Sequence, residues 1–306
     1  MMTTMNKKYF ENAAKTADDL ELENEFIDQI KNDKDYVDDI LRPLKVSHDL
    51  FIDYLYIFVD AQKEYNNCKN CKGLKNCPNK VKGMRVFPVK SAKYIDKNYA
   101  MCSLYIEKRA ISSHYIYCDF SEKYSDLSLK DMKHFKNGNR QQLKIALKEK
   151  IKDKNKDWLF VYGSQDSSKT EFLVSYANDY AKNKLGGIAF INIKDTLEYV
   201  KDHYYKSSEE VHDYLESLSD VDLLILDGFD KDIIINNILR DQFLLPLIKY
   251  RFEQNKETLI GSRINLDELT KVLAINKFGL ENALEITKTI HKKLYKKAYY
   301  LEHLIL

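Results

Sequence analysis

The sequence predicts an α/β protein: a C-terminal domain built on a parallel sheet covered by helices, preceded by a mainly helical, cysteine-rich domain. The first observation is the alternation of short apolar runs with amphipathic stretches from residue 157 onward, which is typical of parallel strands joined by helices. The second is a change of pattern earlier in the chain. Residues 1–63 repeat apolar positions every three or four residues, as helices do, and three cysteines follow within residues 68–77.

The elements of the C-terminal half can be placed from their apolar patterns. Near-continuous apolar runs bounded by polar residues predict strands at WLFVY (158–162), GIAFINI (187–193), VDLLILD (221–227) and ETLIGS (257–262). Apolar positions at helical spacing predict helices over 169–183, 195–203, 208–218, 238–254, 266–273 and 279–301. Strands and helices therefore alternate, as they do when helices cover both faces of a parallel sheet.

Composition sets limits on the domain organisation and on the partners. With 306 residues, of which 44% are hydrophobic, the chain has room for two domains and their cores. We place the domains at 1–120 and 139–306, joined by a polar linker over 121–138. The balance of 49 Lys and Arg against 47 Asp and Glu leaves a net charge of +2, so no strong overall field favours nucleic acid. Because no apolar segment is long enough to span a membrane and no signal peptide is evident, we expect a cytoplasmic protein without a membrane partner.

Residues 163–170, GSQDSSKT, stand between a predicted strand and a predicted helix and fit the phosphate-binding loop G-x-x-x-x-G-K-[ST] except at the second glycine. In such a loop the backbone N–H groups surround the phosphates, the lysine reaches the β- and γ-phosphates, and the hydroxyl holds Mg²⁺. Ser168 replaces the glycine and Asp166 brings a carboxylate toward a polyanion, so we expect weakened binding of ATP and Mg²⁺. The predicted nucleotide-binding residues of the loop are Gly163, Ser164, Gln165, Asp166, Ser167, Ser168, Lys169 and Thr170.

A second nucleotide motif lies about fifty residues later. Four apolar residues followed by Asp227, in VDLLILDGFD (221–230), are typical of a Walker B strand, whose carboxylate supports the Mg²⁺ ion. A second carboxylate that activates water usually follows, but Gly228 stands in its place. Asp230 substitutes for it only if the turn aims its side chain back toward the phosphates. We therefore predict weak or lost hydrolysis, with Asp227 and Asp230 as the candidate catalytic carboxylates.

Other polar residues near element ends are candidates for contact with a nucleotide or with DNA. Ser262 and Arg263 lie at the end of a third predicted strand, in LIGSR (259–263), where a polar side chain would meet the γ-phosphate. Arg251, in LLPLIKYRF, is either a catalytic arginine finger for a neighbouring subunit or a solvated helix cap. The basic, tyrosine-rich segment 288–306 is either an amphipathic closing helix or a surface for single-stranded DNA.

The cysteines after the first helices have the spacing C-x₂-C-x₅-C, with Cys68, Cys71 and Cys77. A C-x₂-C turn lets two thiolates reach one metal, and tetrahedral zinc needs four ligands. Because thiols stay reduced in the cytosol, we expect a structural Zn²⁺ site here, ahead of disulfides or simple burial. Cys102 is the first candidate for the fourth ligand and Cys118 is the second.

Together these segments resemble the DnaI family of bacterial replicative helicase loaders, whose ATPase domain is an AAA+ P-loop domain. The resemblance runs from about residue 45 to about residue 300 and is most specific in CKGLKNCPNKVKGMRVFPV and in the stretch 239–269. It implies zinc ligands at Cys68, Cys71 and Cys77, nucleotide-binding residues at Lys169, Thr170 and Asp227, and an arginine finger at Arg251.

The resemblance also implies a function in the initiation or restart of DNA replication. The N-terminal domain would bind the replicative DnaB-type helicase, and the ATPase domain would bind ATP and single-stranded DNA, with homo-oligomers forming on the helicase. Ser168, Gly228 and Arg263 depart from the family pattern, so we expect ATP binding without rapid turnover to control loading. Two alternatives are a DNA-dependent ATPase of transposon type and a scaffold that binds the helicase without nucleotide.

Overall fold

The computed structural model describes residues 17–132 and 138–302. The predicted domains and linker also include residues 1–16, 133–137 and 303–306, which lie outside the described residues. No helix in the described ranges is long and apolar enough to cross a membrane.

The chain divides into two compact units, Met1–Glu107 and Lys108–Leu306. The division falls before the predicted linker at 121–138. The difference arises because Tyr115–Cys118 forms a strand in the sheet of the second unit. A four-residue strand with alternating exposure carries too weak an apolar pattern to be assigned to a distant sheet from sequence.

The first unit contains helices followed by a β-hairpin. Glu64, in the helix Leu55–Lys69, is buried, and its carboxylate accepts a hydrogen bond from the Val86 N–H at 2.6 Å, which ties the hairpin to the helix. The core contains the fully buried side chains of Ile30, Tyr36 and Phe58. The elements are helices α1 Ala17–Asn32, α2 Lys34–Tyr36, α3 Arg42–Leu44, α4 His48–Asp53 and α5 Leu55–Lys69, with a π-helical turn Val37–Leu41, and antiparallel strands β1 Met84–Lys90 and β2 Ile95–Met101.

The second unit is a parallel sheet covered by helices, which confirms the predicted α/β architecture. Helix α6, Ser103–Ser112, contains the division between the units. The other elements are strands β3 Tyr115–Cys118, β4 Leu159–Gly163, β5 Ile188–Asn192, β6 Leu223–Phe229, β7 Glu257–Ser262 and β8 Tyr299–Leu301, and helices α7 Asn139–Asp153, α8 Lys169–Lys182, α9 Ile193–His203, α10 Ser208–Asp220, α11 Leu245–Glu253, α12 Leu266–Ala274 and α13 Leu280–Lys292. The strands follow the order β3-β5-β6-β7-β4-β8 and all neighbours are parallel.

The near-continuous apolar runs of the sequence are explained by burial on both faces of this sheet. Successive side chains of a strand point to opposite faces. In β4, Leu159 and Val161 belong to the core on one face, while Phe160 belongs to the core on the other. Helices α7 and α8 contribute to the first of these cores, and α9 to α13 contribute to the second.

The predicted C-terminal helix over 279–301 is wrong in its last third. Helix α13 ends at Lys292, and Tyr299–Leu301 forms strand β8, which pairs with β4. Tyr299 and Leu301 are buried and lie two positions apart, so their spacing fits one face of a strand. The buried Tyr299 ring is therefore not available for stacking on DNA bases.

Candidate nucleotide-binding site

The carboxyl ends of strands β4, β6 and β7 lie side by side, and the loop at 163–170 begins at the first of them. Strand β7 lies between β4 and β6, and Tyr162 pairs with Ser262. In open parallel sheets, ligands bind outside this end of the strands. A cleft of about 910 Å³ opens there. Nine residues singled out from the sequence line it: Gln165, Asp166, Ser168, Lys169, Thr170, Asp227, Gly228, Ser262 and Arg263.

The ammonium group of Lys169 lies inside the loop. Its Nζ donates to the Gly163 carbonyl at 2.8 Å, to the Ser164 carbonyl at 2.5 Å and to the Ser167 hydroxyl at 3.1 Å. These three contacts use all the protons that an ammonium group can donate. A phosphate that enters the loop must therefore replace one of these acceptors on the Lys169 ammonium group.

The remaining loop serines build the loop and do not line the cleft. The buried Ser167 hydroxyl donates to the Ser164 carbonyl at 2.8 Å. Arg140, at the start of α7, donates to the Ser167 carbonyl at 2.7 Å and to the Glu302 carbonyl at 2.5 Å. The loop is therefore braced from behind by one arginine that also holds the chain just after β8.

Two backbone positions decide how well the loop can hold phosphate. Gly163 has φ +150°, and a Cβ there would meet the Leu301 carbonyl oxygen at 2.1 Å, so only glycine fits. Ser168 has φ +64° and ψ +24°, the left-handed conformation that favours glycine. A serine in this conformation costs on the order of 1 kcal/mol. Ser168 thus adopts the left-handed conformation that favours glycine, and the departure from the loop motif introduces strain without changing the shape of the loop.

The hydroxyl of the loop and the carboxylate of the Walker B strand meet. Thr170 Oγ1 donates to Asp227 Oδ2 at 2.6 Å. Burial raises the pKa of Asp227, and the hydrogen bond from Thr170 and the charge of Lys169 act against that rise. Burial also lowers the pKa of Lys169. A hydroxyl and a carboxylate so placed are the oxygen ligands that Mg²⁺ prefers, so these residues fit the predicted cofactor.

Acidification is expected to weaken the Mg²⁺-dependent part of ATP binding. Because the pKa of Asp227 is raised, its carboxyl takes a proton at a higher pH than an exposed aspartate does, and the neutral form attracts Mg²⁺ poorly. The effect should be absent well above the raised pKa and should grow as the pH falls through it. Calorimetric titrations across a pH series would measure it. An Asp227→Asn variant should show little dependence on Mg²⁺ at any pH, and a wild-type profile parallel to that of the variant would contradict the assignment.

The residues considered for hydrolysis are not arranged to activate water. Gly228 has φ +99° at an irregularity in the pairing of β6 with β7, so the position itself favours glycine. Asp230 does not line the cleft. Its Oδ2 accepts from Arg263 Nη1 at 2.5 Å, and its Oδ1 accepts from the Lys231 N–H at 2.6 Å. The turn therefore aims the Asp230 carboxylate at Arg263.

Ser262 is buried and its hydroxyl is used by the turn that follows β7. Its Oγ donates to the Ile264 carbonyl at 2.6 Å and accepts from the Ile264 N–H at 3.1 Å. Ser262 thus lines the cleft without presenting a free hydroxyl group. Arg263 is the polar group of this strand end that remains partly exposed, with 42% of its side chain accessible.

Arg251 is not placed as an arginine finger. Its side chain is fully buried and lies at the opposite end of the strands from the cleft. The guanidinium donates to Thr258 Oγ1 at 2.9 Å and to four backbone carbonyls, those of Leu218, Ser219, Val221 and Glu257. Burial lowers its pKa to about 9. Both sequence-based interpretations, the finger and the solvated cap, are corrected, because Arg251 joins α10, the turn that follows it and β7 inside the core.

Four cleft residues escaped the sequence analysis: Lys123, Tyr124, Glu171 and Asn192. Asn192 ends β5 opposite Asp227, and its Oδ1 accepts from the Lys194 N–H at 3.0 Å. A polar residue at the end of an apolar run was the available signal. Lys123 and Tyr124 come from the predicted linker, and nothing in that polar stretch indicates a cleft. The Lys123 ammonium lies 4.6 Å from the centre of the Tyr124 ring.

The predicted zinc site does not form. Within residues 17–132 and 138–302, no three His, Cys, Asp or Glu side chains lie close enough together to hold a metal ion. Cys68 Sγ instead accepts from Asn79 Nδ2 at 3.6 Å, and Cys102 Sγ accepts from the Tyr105 N–H at 3.4 Å. Cys71 and the second candidate Cys118 are exposed. The spacing of Cys68 and Cys71 suits two ligands, but within the described residues neither Cys77 nor Cys102 completes a set of three with them.

No protein-family model and no curated protein matches this chain. Solved structures match it in fold. The crystal structure of DnaI matches with a TM-score of 0.52 and 20% identity, over 63% of this chain and 96% of that chain. The chain shares the fold of DnaI. A primosome component from Streptococcus pyogenes serotype M3 matches similarly, with a TM-score of 0.51 and 18% identity over 63% of this chain and 96% of the other.

The DnaI match confirms the predicted resemblance at the level of the fold. At 20% identity it carries no residue assignment. The chemistry of the site therefore rests on the geometry of Lys169, Thr170 and Asp227 in this chain.

Proposed function

We propose that this protein is a helicase loader of DNA replication initiation or restart, which binds the replicative DnaB-type helicase and delivers it onto single-stranded DNA under control of ATP binding. The observation that carries the proposal is the contact of Thr170 with Asp227 at 2.6 Å, in a protein with the fold of DnaI. This pair would hold the Mg²⁺ of a bound nucleotide, which neutralises phosphate charge. The nucleotide would then bias the equilibrium between helicase-bound and released states.

Magnesium is expected to be essential for nucleotide binding because the cleft itself carries no net charge. An ATP polyanion gains little from a neutral cleft, and Mg²⁺ would supply the attraction. Once bound, the nucleotide would be hydrolysed slowly or not at all, because Gly228 offers no carboxylate and Asp230 is paired with Arg263. The charged residues lining the cleft are Lys123, Lys169 and Arg263 against Asp166, Glu171 and Asp227.

We assign helicase binding to the N-terminal domain, predicted at 1–120, and ATP binding to the domain predicted at 139–306. Exposed apolar side chains on helices of the first unit support a docking role, since large apolar groups on a surface favour protein contacts. Leu20 is 48% exposed, Leu22 is 51% exposed and Tyr56 is 64% exposed. We also propose that the protein contacts single-stranded DNA and that several copies assemble on the helicase. These steps would take place in the cytoplasm.

A scaffold that binds the helicase without nucleotide is the second candidate. The observation that favours it is the self-contained loop, in which Lys169 already bonds to Gly163, Ser164 and Ser167. A loop in this state gains less from phosphate than an open loop does. The two candidates differ in one measurable property, which is saturable, Mg²⁺-dependent ATP binding.

Restoring the glycine at position 168 is expected to stabilise the protein and to tighten ATP binding. Ser168→Gly removes the strain of φ +64°, which we expect to raise the free energy of unfolding by about 1 kcal/mol. It also removes a Cβ at the wall of the cleft, where phosphate would lie. Chemical denaturation and calorimetry would measure both effects. Ser168→Ala is the matched control, because it removes the hydroxyl but keeps the Cβ, and equal gains in both variants would contradict the explanation.

The loader proposal is tested by mixing the purified protein with the DnaB-type helicase of the same organism. Size-exclusion chromatography with light scattering would measure the complex, with and without Mg²⁺ and ATP. We expect a stable complex whose amount changes with ATP in the wild type but not in Lys169→Ala. If the amount of complex does not change with ATP for either the wild type or Lys169→Ala, the scaffold function is favoured. No complex under any condition would overturn the proposal.

A further inference from the structure

A second cleft lies beside the edge strand β3, apart from the candidate nucleotide cleft. It has a volume of about 720 Å³ and shares no lining residue with the nucleotide cleft. Its walls come from β3 and from helices α9 and α10. The lining residues are Tyr117, Tyr199, Glu210, Asp213, Tyr214 and Ser217. We call it the tyrosine cleft.

Three tyrosine rings give this cleft its shape. The ring centres of Tyr117 and Tyr214 are 5.2 Å apart, with 86° between the ring planes. Those of Tyr199 and Tyr214 are 5.3 Å apart at 72°. Two rings therefore stand steeply to the third and form an aromatic corner, in which one face of Tyr199 is already covered by the His203 ring at 4.2 Å. Aromatic faces attract cations that come within about 6 Å of the ring centre.

Hydrogen bonds to neighbouring hydroxyl groups hold two of the rings in place. Tyr117 Oη lies 3.0 Å from Ser217 Oγ, and Tyr214 Oη lies 3.2 Å from Thr196 Oγ1. Burial raises the pKa of Tyr214 to about 12, so its hydroxyl stays neutral at physiological pH. A corner fixed in this way loses little conformational freedom when a ligand enters.

The charge around the aromatic corner is negative. Glu210 and Asp213 line the cleft three residues apart on α10, so both lie on the same side of that helix. Asp119, just after β3, adds negative charge that acts on Tyr214. Carboxylates beside aromatic faces complement a cation, and they oppose nucleic acid and other anions.

We propose that the tyrosine cleft receives an arginine side chain presented by a partner protein. A guanidinium is flat, stacks on aromatic rings and bonds carboxylates through two N–H groups, whereas the lysine ammonium is compact and more strongly hydrated. The cleft is open on the side of Tyr199, which is 38% exposed. An open cleft suits a side chain on another surface better than an enclosed small molecule.

The test uses the full-length protein with tyrosine rings labelled for NMR and three capped pentapeptides, with arginine, lysine or citrulline between glycines. Citrulline has nearly the shape of arginine but no charge. We expect saturable shifts of the cleft tyrosines with the arginine peptide at millimolar concentrations, at least threefold weaker binding of lysine, and none of citrulline. Equal binding of citrulline, stronger binding of lysine, or no shift with any peptide would overturn the proposal. Free arginine binding more tightly than its peptide would also overturn it, since the ligand would then be a small molecule.

Variants place the binding in the cleft. Tyr199→Leu keeps an apolar contact but removes the aromatic face, and we expect it to weaken arginine binding about tenfold. Glu210→Gln combined with Asp213→Asn should weaken it severalfold, and more so at low salt, because both carboxylates are exposed. Tyr205→Ala is the matched control, since Tyr205 is 80% exposed and outside the cleft. Unchanged binding in both cleft variants would overturn the proposal.

Discussion

Lys169→Ala is expected to reduce Mg²⁺-dependent ATP binding by at least about tenfold, because one charge-assisted hydrogen bond contributes about 1.5–3 kcal/mol. The wild-type ammonium already lies among the acceptors of the loop, at 2.8 Å from the Gly163 carbonyl. If the proposed loop binds ATP, Lys169 would exchange these acceptors for the β- and γ-phosphates. Equilibrium dialysis with labelled ATP, with and without Mg²⁺, would measure the loss.

The control for this prediction is Lys201→Ala, which removes an exposed lysine of the same unit that is not part of the cleft. Its ATP affinity should equal that of the wild type. The loop contacts of Lys169 also brace the fold, so the free energy of unfolding should be measured for both variants. A folded Lys169→Ala protein with undiminished affinity would contradict the site.

Arg251→Ala is expected to lower the free energy of unfolding by about 3–5 kcal/mol, or to prevent folding altogether. The guanidinium satisfies Thr258 and four buried backbone carbonyls. Removing it leaves a cavity and several polar groups without partners. Urea denaturation followed by circular dichroism would measure the change.

Lys249→Ala serves as the matched control on the same helix. Lys249 pairs with Glu285 at 2.6 Å, with 42% of each side chain exposed, and surface pairs of this kind contribute at most about 1 kcal/mol. If Arg251→Ala retained wild-type stability and lost only ATP hydrolysis, the finger interpretation would be right and the buried role wrong.

The fold of the second unit was accessible from the sequence because its strands are buried on both faces. Burial on both faces produces unbroken apolar runs such as LLIL (223–226), which Asp222 and Asp227 bound clearly. Edge strands lack this signal. Strands β3 and β8 were not predicted, since β3 alternates in exposure and β8 has three residues that continue a helical pattern.

The parts of the candidate site that could be predicted are those whose position is set by residues next to them in sequence. Lys169 and Thr170 follow their loop directly, and Asp227 follows its strand. Arg251 shows the limit, because a lone arginine at the end of a helix gives no sign of whether its head enters solvent or the core. The buried outcome depends on the Leu218 and Ser219 carbonyls of α10, which lie more than thirty residues away in sequence. The prediction of Cys102 as the fourth zinc ligand was wrong for the same reason, since spacing alone does not decide where Cys102 lies.

The most direct test of the proposed site is the crystal structure of this protein with Mg²⁺ and a non-hydrolysable ATP analogue. We expect the analogue in the cleft, with Lys169 Nζ moved from the Gly163 and Ser164 carbonyls to the phosphates. Thr170 and Asp227 should lie around the Mg²⁺ ion. The proposed site would be contradicted if the cleft held no nucleotide at saturating concentrations of the analogue and Lys169 were still bonded to its own loop. Control by ATP would then be excluded, and the nucleotide-independent scaffold would be the remaining candidate function.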